Sequence, residues 1–124
     1  MTQPPPASYS ITISRDAGVQ VISITGCLDD EACAGLKQAI RAGQTGPSPQ
    51  IIVEMSGLRY VASAGIAVLV QAQKQLRGVD GALHLCQASE AVQEVFVVLN
   101  LASIIPTHRT LAQALMAVAA IGQR

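Results

Sequence analysis

The chain has 124 residues, no formal net charge, 50% apolar residues and 2% aromatic residues. That length fits one domain with a substantial hydrophobic core. The charges are scattered in ones and twos, leaving no basic stripe to neutralise phosphates and no aromatic platform for bases, which argues against direct nucleic-acid binding.

The opening, MTQPPPASYS, carries no positive residue and no apolar run, unlike a signal peptide. Pro4, Pro5 and Pro6 predict a flexible, polyproline-like leader over residues 1–8. Ser10 to Ser14 alternates polar and apolar, as a half-buried strand does. Asp16-Ala17-Gly18 reads as a turn, and Val19 to Thr25 alternates again, so the pair predicts an antiparallel hairpin ended by Gly26. Asp29 is a good N-cap, with Asp30 and Glu31 favourably placed in the first turn of a helix. Cys33, Leu36, Ala39 and Ile40 form its inward stripe, and Lys37, Gln38 and Arg41 face water.

Gly43 to Pro49 reads as a loop. Ile51, Ile52 and Val53 form an apolar run suited to a strand covered on both faces, broken by Ser56 and Gly57. A helix from Ser63 to Arg77 follows from the spacing of Ile66, Leu69, Val70 and Leu76. Gly78 to Gly81 is a turn, and Ala82 to Cys86 a short strand. Ser89 caps a helix with the stripe Val92, Val95, Phe96 and Leu99. Ile104 and Ile105 read as a very short strand before Pro106. Leu111, Leu115 and Val118 mark a last helix, capped by Thr110 or Thr107.

The order predicts a single α/β domain over residues 9–122. Its mixed sheet has four to five strands, an N-terminal hairpin followed by alternating helices and strands, with about four helices and right-handed crossovers. The longest apolar stretch, around Val61 to Val70, is about half of the roughly 20 residues a membrane helix needs, so no membrane insertion is expected. Cys27, Cys33 and Cys86 lack Cys-x-x-Cys spacing and read as reduced residues of a cytoplasmic protein rather than a disulfide or zinc framework.

Conventional chemistry finds little support. No Gly-rich phosphate loop is present. His84 in a strand and His108 beyond Pro106 have no acid at ligand spacing and read as structural. Asp29, Asp30 and Glu31 read as cap and dipole residues rather than a metal cluster. Glu54, at the end of a buried strand, is a weak signal. Ser63 lacks a Gly-x-Ser-x-Gly elbow, because Val61 stands at the first glycine's place. We expect no enzyme, no metal and no cofactor.

Ser63 carries the functional question. At the start of a helix its hydroxyl is either a cap or a site for phosphate, which would meet the positive end of the helix dipole. Gly65, two residues on, suggests a close approach to the backbone, and Ala62 and Ala64 keep the surface low in bulk.

At these residues the chain resembles the anti-sigma factor antagonists, stand-alone members of the STAS domain family. Their hallmark runs strand, an aromatic or apolar pair, Asp-Ser-Ser/Thr-Gly, then Leu-x-Val-Leu; here Tyr60-Val61-Ala62-Ser63-Ala64-Gly65-Ile66-Ala67-Val68-Leu69 follows it. Gly26-x-Leu28-Asp29 with Ala32, Leu36 and Ile40 resembles the hairpin-to-helix passage, and Val92 to Leu101 with Ile104 to Leu115 the closing elements. The resemblance implies that Ser63 is phosphorylated by a partner that is both anti-sigma factor and serine kinase. The unmodified form binds that partner, and a metal-dependent serine phosphatase regenerates it. Ala62 replaces the usual acid, and Ala64 the second hydroxyl. The low bulk and free helix N-terminus of this corner predict a binding face of Tyr60, Val61, Ala62, Ser63, Ala64, Gly65, Ala67, Gln71 and Lys74, bordered by Asp29 and Asp30. Other STAS members serve as adaptors in transport or signalling complexes with no phosphorylation cycle, which is the alternative reading.

Overall fold

The computed structural model describes residues 9–16, 19–44 and 49–122. The expected leader over 1–8, the middle of the turn after Asp16 and most of the loop before Pro49 lie outside the described residues. The elements are β1 (Tyr9–Asp16), β2 (Val19–Leu28), α1 (Asp30–Gly43), β3 (Gln50–Val61), α2 (Ser63–Arg77), β4 (Ala82–Cys86), α3 (Glu90–Val98), a 3-10 turn (Leu101–Ser103), β5 (Thr107–His108) and α4 (Leu111–Gly122). The five strands lie in chain order, β1-β2-β3-β4-β5. β1 is antiparallel to β2, and every later pair is parallel.

This order sets the layers. Successive parallel strands joined by right-handed crossovers put every connecting helix on the same face of the sheet. Accordingly α1, α2 and α3 cover one face, where Leu36, Leu69, Leu76, Val92 and Phe96 pack on Ile22, Ile24, Ile51, Val53, Leu83 and Leu85. The opposite face is covered by α4, whose Ala114 and Val118 meet Val19, Val21, Ile52 and Cys86. Strands buried on both faces explain the near-continuous apolar runs.

Local capping chemistry is realised at three helix starts. Asp29 Oδ1 accepts the Ala32 N–H at 3.0 Å, Ser89 Oγ the Val92 N–H at 3.4 Å, and Thr110 Oγ1 the Gln113 N–H at 3.1 Å.

Four expectations are corrected. β2 does not stop at Gly26 but continues to Leu28 through a register shift, and Gly26 sits there at φ 89°, a conformation that favours glycine. β3 is not broken at Ser56 and Gly57; it runs on to Val61 because β2 offers a partner ladder that far, with Thr25 beside Gly57 and Gly26 beside Leu58. The last strand is Thr107–His108, whereas Ile104 and Ile105 follow the 3-10 turn. On α3, Val92 and Phe96 are buried but Val95 and Leu99 are exposed, since β5 has only two residues and leaves little sheet for a wider stripe to cover.

The brevity of β5 has a second effect. β5 pairs only with Leu85 and Cys86, so Leu83 lacks a strand on that side. The buried side chain of Gln73 takes its place: Oε1 accepts the Leu83 N–H at 2.7 Å, and Nε2 donates to Leu83 O and Ile104 O, each at 3.2 Å. One amide thus satisfies both main-chain groups of Leu83 and ties α2 to the loop before β5.

Candidate functional site

The parallel strands β2 and β3 end side by side, with Leu28 opposite Val61 and the Ala62 N–H bonded to Leu28 O at 3.0 Å. Each strand feeds directly into a helix, so the N-termini of α1 and α2 emerge next to one another. Crevices beyond the carboxyl ends of parallel strands are where open α/β sheets place their function.

Ser63 stands in this corner, though not as a cap. The capping position belongs to Ala62, which makes no side-chain cap hydrogen bond, and Ser63 is the first helical residue. The offset arises because β3 runs through Val61 and leaves a single linking residue. The Gly65 and Ile66 N–H groups bond to Ala62 O at 2.9 and 3.2 Å, leaving those of Ser63 and Ala64 as the unpartnered donors of the helix start. Ser63 is exposed, and among the described residues its hydroxyl makes no hydrogen bond. It is flanked by small side chains and points into a region of positive helix-dipole potential.

The expected binding residues assemble around it. Ser63, Ala67, Gln71 and Lys74 follow one face of α2 and are exposed. Tyr60 is 56% exposed, Val61 and Ala62 are half-buried, and Ala64 is exposed. Asp29 and exposed Asp30 border the corner from α1. Gly65 differs from the rest because it is buried and shapes the corner from below. A Cβ there would lie 2.7 Å from Leu28 Cδ2 and Cγ, so the close approach inferred at Gly65 is that of the protein's own core. Leu28 is fully buried and has nowhere to retreat. Gly65→Ala should cost about 1–3 kcal/mol of stability, the usual penalty of overpacking. Chemical denaturation would check this, and an unchanged midpoint would show that α2 can shift freely.

Sequence reasoning missed an open groove of about 570 Å³ between α1 and α2, lined by Ala64, Ala67 and Gln71 on one side and Asp30, Lys37 and Arg41 on the other. Its only sequence signal was that Lys37 and Arg41 lie four apart, which read simply as a solvated face.

The remaining candidates take structural roles. Glu54 accepts the Ser56 N–H at 2.7 Å, securing the irregular part of β3, and the Gln87 amide at 3.2 Å. Among the described residues no group of three or more His, Cys, Asp or Glu could hold a metal ion. Burial pushes the Cys86 thiol up to about 12 and also raises Cys33, with Asp30 adding to the latter, so neither is poised as a thiolate nucleophile.

The two histidines, distant in sequence, are brought together. The parallel register sets Cys86 beside His108, and His84 Nδ1 lies 3.1 Å from His108 Nε2 with the rings stacked. Burial lowers His84 to about 4, with His108 and Arg77 acting in the same direction, and burial also lowers His108. An unfolded chain protonates its histidines near 6.5. Between those values the unfolded state takes up a proton that folded His84 refuses, so stability should fall as pH drops from about 6.5 to about 4. The loss attributable to His84 is at most about 3 kcal/mol. Urea titrations across this range should show the slope in the wild type and a shallower one in His84→Leu. Equal slopes would place the acid sensitivity elsewhere.

The STAS domain model matches residues 10–114 of the chain. BtrV of Bordetella bronchiseptica, whose name marks it as a candidate anti-sigma factor antagonist, is 28% identical over 96 residues, covering 77% of this chain and 83% of that protein. Among solved structures, an anti-sigma factor antagonist from Mycobacterium paratuberculosis matches with a TM-score of 0.81 and 26% identity over 94% of this chain and 99% of its own. The anti-sigma factor antagonist SpoIIAA in its unphosphorylated form shares the fold at a TM-score of 0.70 and 23% identity, over 90% of this chain and 97% of its own. Its phosphorylated form does so at 0.64 and 22%, over 88% and 99%. No helix among the described residues is long and apolar enough to cross a membrane. With a family model spanning most of the chain and the sheet order and helix placement in agreement, the chain belongs to the STAS domain family.

Proposed function

We propose that this STAS domain is an anti-sigma factor antagonist that binds an anti-sigma factor with serine-kinase activity at the Ser63 corner and is released by phosphorylation of Ser63. A metal-dependent serine phosphatase restores the binding form. The observation that carries this reading is the setting of Ser63: exposed, the first residue of α2, its hydroxyl unengaged, with alanines on either side. A kinase active site can reach such a hydroxyl, and a helix start accommodates the resulting phosphate. The names of the relatives support the antagonist role.

The test is phosphate incorporation from ATP by the cognate kinase, with wild type beside Ser63→Ala. Labelling confined to the wild type supports the switch. Equal labelling of both, or none in either, would remove Ser63 from the mechanism. Ala62 and Ala64, standing where the family hallmark has an acid and a hydroxyl, would then favour an unphosphorylated adaptor. The extent of the face has its own check. Ala67 is exposed one turn beyond Ser63, so Ala67→Arg should weaken anti-sigma factor binding by about ten-fold or more with an unchanged circular dichroism spectrum. Full-strength binding would place the face elsewhere.

A further inference from the structure

We infer that the groove between α1 and α2 receives an amphipathic α-helix of the partner, lying antiparallel to both helices, with acidic residues in its first two turns. This rests on the reading of the Ser63 corner as a partner-binding face and specifies what docks beside it.

Three features of the groove point to that occupant. Its size is the first. Asp30 and Arg41 both line it, and their separation along α1 is about 17 Å at 1.5 Å per residue, enough to seat about three turns of helix. Its α2 side is the second, since Ala64, Ala67 and Ala72 present little bulk and let another backbone come close. Charge is the third. Asp30 stands at the Ser63 end, whereas Lys37 and Arg41 lie toward the other, one turn apart on α1 and both exposed. Among the described residues neither Lys37 nor Arg41 has an ion-pair partner.

Because α1 and α2 follow parallel strands, their N-terminal ends lie together at the Ser63 corner. That of α1 is offset by Asp29, Asp30 and Glu31, whereas that of α2 has no acid in its first turn and stays positive. An antiparallel helix brings its negative carbonyl end to that corner. Its first turns then meet Lys37 and Arg41, and acidic residues are at home in the first turn of a helix. Asp30 disfavours acidic residues at the opposite end, so the groove selects for charge position as well as for charge. A phosphate on Ser63 would face the carbonyl end of the docked helix, which couples the groove to the proposed switch.

The experiment uses two hydrocarbon-stapled 14-residue helices of identical composition and matched helicity. One has its three glutamates in the first two turns, the other in the last two. Each is titrated into the 15N-labelled full chain and followed by NMR. The first should bind about five- to ten-fold more tightly and shift amides of α1 and α2, and Lys37→Glu with Arg41→Glu should abolish that preference. Equal affinities, shifts outside α1 and α2, or no binding of either helix at millimolar concentration would overturn the proposal. Repeating the titration with Ser63→Asp separates the two ideas. If the positional preference persists while Ser63→Asp binds as tightly as the wild type, the groove stands and the switch reading fails.

Discussion

Phosphorylation of Ser63 is expected to weaken anti-sigma factor binding by two to three orders of magnitude while the domain stays folded. The modification adds roughly −1.5 to −2 charges and a tetrahedral group at the centre of the proposed face. Within the domain the charge is tolerated. Ser63 is exposed, its hydroxyl gives up no internal bond, and the start of α2 stabilises an anion by about 0.3–1 kcal/mol. The complex is expected to carry the cost, because binding would bury a dianion where the unmodified protein presents only a neutral serine between two alanines. Burying such a charge unpaired costs several kcal/mol. A loss of about 3–4 kcal/mol corresponds to two to three decades in Kd. Ser63→Asp supplies one charge without the bulk and should weaken binding by about one decade, whereas Ser63→Ala should bind like the wild type. Calorimetric titration of the anti-sigma factor with each form checks this. A phosphorylated form that binds within three-fold of the unmodified protein would mean that Ser63 lies off the interface.

Gln73→Met should destabilise the domain by about 3–5 kcal/mol, a large effect for a volume-conserving change. Methionine fills the same space but bonds neither the N–H nor the carbonyl of Leu83, nor the carbonyl of Ile104. Each buried main-chain group left unsatisfied costs about 1–3 kcal/mol. Two of the three lie on Leu83, which is fully buried and beyond the reach of β5, so water offers little relief. Guanidinium denaturation gives the magnitude. Hydrogen exchange would add the location, with β4 and the loop at Ile104 losing protection before β2 and β3. A loss below about 1 kcal/mol would mean that the loop rearranges to satisfy Leu83 without Gln73.

How far sequence reading carried depended on the range of the interaction. Asp29 and Ser89 were legible as caps, and Thr110 as one of two, because a cap bonds an N–H only three residues away, at 3.0, 3.4 and 3.1 Å here. The hairpin, the inward stripe of α1 and the alternation that makes an α/β sheet were equally legible, since periodicity is local. The end of β3 was not. Whether Ser56 and Gly57 break a strand depends on what lies beside them, and β2 lies beside them as far as Leu28. Whether Ser63 was a cap also stayed open until β3 was seen to reach Val61, which gives the capping position to Ala62. His84 and His108 are 24 residues apart, and only the β4–β5 register brings them together. The Ser63 corner was found because its small residues are contiguous in the chain. The groove went unseen because its two walls come from helices separated by β3.

The consecutive strand order bears on how the chain assembles as it is synthesised. Every strand pairs with the one made just before it, so β2 closes on β1 and each later strand finds its template already in place. Each parallel pair still has to close over a whole connecting helix, so the later strands dock more slowly than the β1–β2 hairpin. The α4 face is the exception. Val19, Val21, Ile52 and Cys86 come from β2, β3 and β4, yet all await Ala114 and Val118 near the end of the described chain. A nascent chain stalled before α4 would therefore hold a nearly finished sheet with one greasy side bare, the kind of species that chaperones capture and that aggregates when they do not.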